Sequence, residues 1–382
     1  MKKALIVTSV ASMVDQFLIS SITLLQELNY SVSVACNFEK GSTCSDERIA
    51  QLKDKLKKLN VEYYHIDFDR NITNIKNNYS AYKQVKKIVS DTKYDLVHCH
   101  SPIGGLITRF ACIKTRKQGT KVLYTAHGFH FYKGAPIKNW LIYYPVEKIC
   151  SYLTDTLITI NKEDYDCAKK HFKTDVKHIH GIGVSSERFY PVNETKKLDL
   201  RQYCSLNSND YVILCTGELN KNKNQQLLIN AANLLKEKIP NLKVLLAGTG
   251  PNADNLISLI NNLGLQEVVS LLGYRSDLEK VVPATDLIVS CSIREGLGLN
   301  IIEGMMCQKP VVATNNRGHK ELIKDAVNGY LVPLDNSKYL AECIYKIFSN
   351  SQLAYEFGSK NYTLSQKYSS ICVCEEICQF YK

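Results

Sequence analysis

Two doubly wound α/β domains are predicted by three features of this 382-residue chain: its length, its strand–helix alternation and a polar Gly/Pro break near the middle. At roughly 150 residues per domain, the length suits two. With 45% hydrophobic and 22% charged residues, the composition is that of a globular chain. Short Val/Ile/Leu-rich runs read as buried parallel strands. In the first half these are Ala4–Thr8, Ser31–Ala35, Leu96–His98, Lys121–Thr125 and Thr156–Ile160. In the second they are Tyr211–Cys215, Lys243–Ala247, Val268–Leu272, Leu287–Ser290, Pro310–Ala313 and Gly329–Leu331. Helical patterns lie between them, among them Phe17–Leu28, Tyr79–Ser90, Gln225–Lys238, Asp254–Leu263 and Ile301–Met306. Alternation of this kind specifies parallel sheets with right-handed crossovers. The break falls at His180–Lys197, which holds Gly181, Gly183, Pro191 and the polar run Asn193–Lys197. Domains of residues 1–188 and 189–360 follow, with 361–382 expected as a C-terminal helix packing back toward the first domain. Open α/β sheets bind ligands outside the carboxyl ends of their strands, so two such sheets facing one another would form a cleft lined by those loops.

Charge is unevenly spread. The formal net charge is +11. Residues 1–190 carry 28 Lys and Arg against 18 Asp and Glu, and the remainder 20 against 19. An anionic partner is therefore expected for the first half: nucleic acid, a membrane surface or a phosphorylated substrate. Fourteen cysteines at irregular spacing, without a CxxC pair, read as thiols of a reducing compartment. Cys372, Cys374 and Cys378 cluster near the C-terminus and read as helix residues. Lys2 and Lys3 precede the apolar run Ala4–Val14, which superficially resembles a signal sequence. It lacks a small-residue cleavage site and passes into Asp15, so a first strand is expected. No run reaches the 18 apolar residues that span a bilayer. A cytoplasmic protein, peripherally associated with the inner face of the membrane, is the expectation.

The segment Ser292–Pro310, SIREGLGLNIIEGMMCQKP, follows a strand and opens a helix. Gly296 and Gly298 permit close backbone approach to a ligand. A helix starting near Leu299 turns free N–H groups and its positive dipole end toward an anion. Glu303, about one turn inside, offers a carboxylate to a ribose diol, and Glu295 in the loop can hold sugar hydroxyls. The alternative is a capped helix start with a solvated second glutamate.

With seven residues between its two glutamates, this stretch resembles the family 4 glycosyltransferases of the GT-B fold. PVVATNNRGHKELI (Pro310–Ile323), DAVNGYLVP (Asp325–Pro333), GELNKNKNQ (Gly217–Gln225) and GYRSDLEKV (Gly273–Val281) extend the resemblance through the second half. YDLVHCHSPIGG (Tyr94–Gly105) and YTAHGFHFYKGAP (Tyr124–Pro136) extend it through the first, toward the bacterial exopolysaccharide and capsule branch. The resemblance implies that Glu295 contacts the donor hexose and Glu303 the nucleotide ribose. Gly217, Gly296 and the backbone at Gly298, Leu299 and Asn300 would cradle the donor, and Lys223 would grip its diphosphate. The arginine usual in this family is Glu218 here. Lys221 or Arg275 is the candidate replacement, unless Glu218 instead pairs with Lys223. Tyr274 and Arg275 match the segment that lines the nucleobase.

In the first half, His127 matches a histidine placed beside donor sugar and acceptor. His100, His130 and Lys133 are further acceptor-side candidates, and Glu147 in YYPVEKI reads as a buried helix carboxylate. Asp67 and Asp69 form a DxD, a metal-binding pattern in the other large glycosyltransferase fold. In this half of the chain it reads as a loop feature. Residues 101–150 hold eight Lys/Arg and one acid, with Phe129, Phe131, Tyr132, Trp140, Tyr143 and Tyr144. A surface resting on anionic lipid fits that mixture.

A retaining glycosyltransferase is implied. It would move a sugar from a nucleotide-sugar, expected to be UDP-linked and a UDP-N-acetylhexosamine, to a hydroxyl of a polyprenyl-diphosphate-linked glycan. Neither a cofactor nor a metal is expected. A nucleotide-sugar epimerase of related architecture is the enzyme alternative. A nucleic-acid-binding role has no RNP-like, helix-turn-helix or zinc-finger signature behind it.

Overall fold

The computed structural model describes residues 1–40 and 45–382. The chain forms two compact units, Met1–Gly183 with Ser370–Lys382, and Val184–Ser369. The first contains β1 (Lys2–Val10), β2 (Tyr30–Asn37), β3 (Glu62–His65), β4 (Leu96–His100), β5 (Lys121–Ala126), β6 (Thr156–Thr159) and β7 (Asp175–His178). They form one sheet in the order β3-β2-β1-β4-β5-β6-β7, parallel throughout. The second unit contains β8 (Tyr211–Thr216), β9 (Leu242–Ala247), β10 (Val269–Gly273), β11 (Leu287–Ser290), β12 (Val311–Thr314) and β13 (Tyr330–Val332). Its parallel sheet runs β10-β9-β8-β11-β12-β13. Both are Rossmann-like, and each order reverses direction once, between β1 and β4 and between β8 and β11.

Helices cover both faces of each sheet, so central strands are apolar on both sides. Ala4 through Ser9 of β1 are all buried. The two edge strands β3 and β7, EYYH and DVKH, are absent from the expected set. They are half-exposed, and an edge strand does not need the continuous apolar run that marks a central one. Helix starts are set by asparagine. Asn74, Asn161, Asn193, Asn316, Asn336 and Asn350 each accept the amide three residues on, worth about 1 kcal/mol apiece.

The division between units falls at Gly183/Val184, not after residue 188. The Val184 amide donates to Tyr368 O at 2.9 Å, and Arg188 pairs with Glu279 at 2.6 Å. Residues 361–369 likewise stay with the second unit rather than opening the returning helix. Asn361 ties them there, donating to Lys309 O at 2.9 Å and accepting from Asn328 at 2.8 Å. The helix Ser370–Tyr381 belongs to the first unit. Lys121 Nζ donates to Phe380 O at 2.7 Å, and Tyr30 Oη to Tyr381 O at 3.0 Å. Cys372, Cys374 and Cys378 all lie on this helix.

Candidate functional site

The second unit gathers its predicted residues at the β8/β11 reversal, where doubly wound sheets bind ligands. Lys223 comes from the loop after β8 and Glu295 from the loop after β11. Asn222 joins the loops: its carbonyl accepts from Ile293 N at 2.7 Å, and its Nδ2 donates to Arg294 O at 3.0 Å. Across this joint Lys223 Nζ lies 2.5 Å from Glu295 Oε1. Lys223 is thus paired with Glu295, not with Glu218, whose side chain is exposed and makes no ion pair among the described residues. Glycine makes the crowding possible. A Cβ on Gly248 (φ +152°) would sit 2.0 Å from Gly217 O, and one on Gly318 would sit 2.8 Å from Glu295 Cβ.

Gly298 precedes the helix Leu299–Met306, and no side chain caps it. The first helical amides have no intrahelical acceptor, so those of Leu299 and Asn300 are available to an anion. Asn300 Nδ2 donates to Thr216 O at 3.4 Å, holding this helix start beside β8. Glu303 is half-buried on the first turn and a half. Burial pushes its carboxyl up to about 7; Arg188 opposes the shift and Glu279 adds to it.

A ribose diol donates more strongly to an ionised carboxylate. Affinity for the expected UDP-linked donor should therefore rise about tenfold between pH 6 and 8, as Glu303 ionises on passing through about 7. Glu303→Gln should flatten the profile, and calorimetric titration checks both. A pH-independent affinity in the wild type would remove Glu303 from the binding site. For folding, the native state keeps a proton that the unfolded chain releases above about 4.5. This group therefore lowers stability as pH rises from there toward 7.

Arg275 is bound bidentately to Asp277, both contacts at 2.7 Å. That hydrogen bonding holds the Asp277 carboxyl down to about 2. With Arg275 so engaged, Lys221 is the exposed basic group of the β8 loop. Tyr274 is exposed (58%), its ring clear of the core.

His319, inside the motif of the β12 loop, is a buried residue that sequence reasoning passed over. Its Nδ1–H donates to Thr314 O at 2.7 Å, which leaves Nε2 to accept from Ser290 Oγ at 3.1 Å. Burial pushes it down to about 4, so it stays neutral. Arg317 Nε donates to Glu295 O at 3.3 Å and supports the same loop. The signal for both was the NNRGHKE run, whose polar residues follow a strand directly.

In the first unit, His100 ends β4 and His127 follows β5, with His100 Nδ1 3.1 Å from His127 Nε2. His130 stacks on Tyr143, ring centroids 4.5 Å apart. Lys133 is exposed, and its backbone amide donates to Glu163 at 2.7 Å. Glu147 is buried against Arg109 at 2.9 Å. Asp67 and Asp69 order their own loop. Asp67 accepts from Ser80 and Gln84 at 3.0 and 2.7 Å, and Asp69 from Asn71 N and Asn74 at 2.8 and 2.7 Å. Among the described residues no group of three or more His, Cys, Asp or Glu is arranged to hold a metal ion. Nor is any helix among them long and apolar enough to cross a membrane. The aromatics expected at a lipid surface divide: Phe129 and Phe131 are buried in the core, whereas Trp140 is exposed. The exposed apolar groups of the helix Ile137–Ser151 are instead mainly aliphatic: Ile137, Leu141, Ile142 and Ile149.

The family model "Glycosyl transferase 4-like" matches residues 7–161, and "Glycosyl transferases group 1" matches residues 197–363. Putative glycosyltransferase EpsD of Bacillus subtilis is 44% identical over 80% of this chain and 80% of its own length. An Escherichia coli relative, UDP-Gal:alpha-D-GlcNAc-diphosphoundecaprenol alpha-1,3-galactosyltransferase, is 29% identical over 74% of this chain and 72% of its own. The crystal structure of Anabaena HepE with UDP-glucose has the same fold, with a TM-score of 0.79 at 20% identity, over 100% of this chain and 99% of that one. With both halves matched in order, and a relative of such identity along most of its length, this chain belongs to the family 4 glycosyltransferases of the GT-B fold.

Proposed function

We propose that this glycosyltransferase transfers, with retention, a sugar from a UDP-linked donor to a hydroxyl of a polyprenyl-diphosphate-linked glycan in bacterial exopolysaccharide or capsule synthesis. One observation carries the reading most: the Lys223–Glu295 pair stands at the β8/β11 reversal beside an uncapped helix start, with Glu303 behind it. That set offers a cation and backbone amides to a diphosphate, and carboxylates to sugar and ribose hydroxyls. Breaking the anomeric bond leaves negative charge on the departing diphosphate, which Lys223 and the helix amides stabilise. Glu295 then keeps only its sugar contact, because the diphosphate competes for its lysine. The lipid-linked acceptor and the α linkage in the name of the Escherichia coli relative support the acceptor class and retention.

Thermal shift with purified chain tests the donor, UDP-N-acetylglucosamine and UDP-N-acetylgalactosamine being tried first against UDP-glucose and UDP-galactose. A true donor at 100 times its dissociation constant stabilises by about 2.7 kcal/mol. No stabilisation by any UDP-sugar would sink the reading.

The first unit is proposed to rest on the inner membrane face through the exposed aliphatic side of the helix Ile137–Ser151 and its basic surroundings. Each nearby Lys or Arg is worth about 1 kcal/mol on anionic lipid. Flotation with phosphatidylglycerol vesicles but not with neutral ones is the expected result; equal recovery with both would count against electrostatic docking.

A further inference from the structure

Three histidines crowd the strand ends of the first unit. His98 and His100 point from the same face of β4, their ring centroids 4.2 Å apart. Both nitrogens of His98 are engaged, Nδ1 with Tyr381 Oη and Nε2 with Thr125 Oγ1, each at 2.8 Å. His100 differs. Its Nδ1 meets His127 Nε2 at 3.1 Å, while its Nε2 is buried and has no hydrogen-bond partner among the described residues. His127 itself is only half-buried.

Burial pushes His127 down to about 4 and His98 to about 3, with His100 also well below its ordinary value. Each ring is therefore neutral and carries one proton. Two arrangements satisfy the His100–His127 contact. If His127 Nε2–H donates, the proton of His100 must sit on Nε2, where a buried N–H finds no acceptor. That forfeits the solvation of a donor with nothing in return. If His100 Nδ1–H donates instead, only a lone pair is left inside. The proton of His127 then sits on Nδ1, the nitrogen not used in this contact.

We infer that His100 is a positioning residue that locks His127 as its Nδ1–H tautomer, so that His127 presents a hydrogen-bond donor, and not a base, to a substrate oxygen. This rests on the reading of His127 as substrate-facing. His100 would then touch no substrate and act entirely through its neighbour.

Long-range ¹H–¹⁵N spectra of the full chain labelled with ¹⁵N-histidine test it, His127 being assigned by loss of its signals in His127→Gln. The expected wild-type result is a protonated Nδ1 and an unprotonated Nε2 on His127 from pH 6 to 8. His100→Phe removes the donor and should give a mixture of His127 tautomers. His100→Asn, whose Nδ2–H can take the place of the imidazole Nδ1–H, should restore one. With UDP-N-acetylglucosamine as probe, kcat for UDP release should fall at least about tenfold in His100→Phe with KM little changed, and recover in His100→Asn. An Nε2-protonated His127 in the wild type, or an unchanged tautomer in His100→Phe, would overturn the inference. The tautomer is read on the free chain, so its failure and a failure of the glycosyl-transfer reading are separate results.

Discussion

Lys223→Ala is expected to lower kcat by about 10²–10³, the loss that follows removal of one preorganised electrostatic contact to a developing anion. The geometry makes this variant doubly damaging. It removes the cation that sits 2.5 Å from Glu295, and it takes that half-buried carboxylate's lysine away where the proposed diphosphate would bind. Glu295→Gln separates the two effects. In the double variant Lys223→Ala/Glu295→Gln the repulsion is gone, so donor affinity should recover in part while kcat stays low. Single-turnover kinetics with the UDP-sugar that stabilises the chain most is the measurement. Near wild-type transfer by Lys223→Ala would show that the β8 loop grips no leaving group.

Glu147→Gln should cost about 3–5 kcal/mol of stability in the first unit, because it leaves the Arg109 guanidinium charged and buried without its counter-ion. Arg109 is 1% exposed. It donates to Glu147 at 2.9 Å and to Gly105 O at 2.9 Å, and it lies 4.0 Å over the Tyr124 ring. Its Nη2 has no partner among the described residues, so nothing is in reserve when Glu147 is neutralised. The pair joins the helices Pro102–Ala111 and Ile137–Ser151, the second of which carries the proposed membrane face. Replacing both partners, as in Arg109→Met/Glu147→Leu, should return most of the loss, since an apolar pair needs no desolvation. Urea unfolding checks the set. A loss below about 1 kcal/mol for Glu147→Gln would mean that Arg109 finds water or another partner.

Periodicity and motif spacing alone determined the α/β class, the central strands of both sheets, and the residues that stand at strand ends. Residue type after a strand singled out Glu295 and Glu303 as candidates, and the family resemblance singled out Lys223, because the residues a loop or helix start offers are a local property of the chain. Edge strands β3 and β7 were not legible, since half-exposed strands lose the apolar run that marks a buried one. Nor were the limits of the units at Gly183 and Ser369, because those depend on which surface Arg188 and Asn361 pack against and not on local composition. Pairing was decided only by the tertiary structure. Glu218 stands five residues from Lys223 in the sequence, yet Lys223 reaches Glu295, 72 positions away, because parallel strands β8 and β11 are neighbours in the sheet. The same holds for His100 and His127, brought together by β4 and β5. Residue type and spacing announce what chemistry a loop can offer, but partner, burial and protonation follow from long-range contacts that exist only once the sheet has formed.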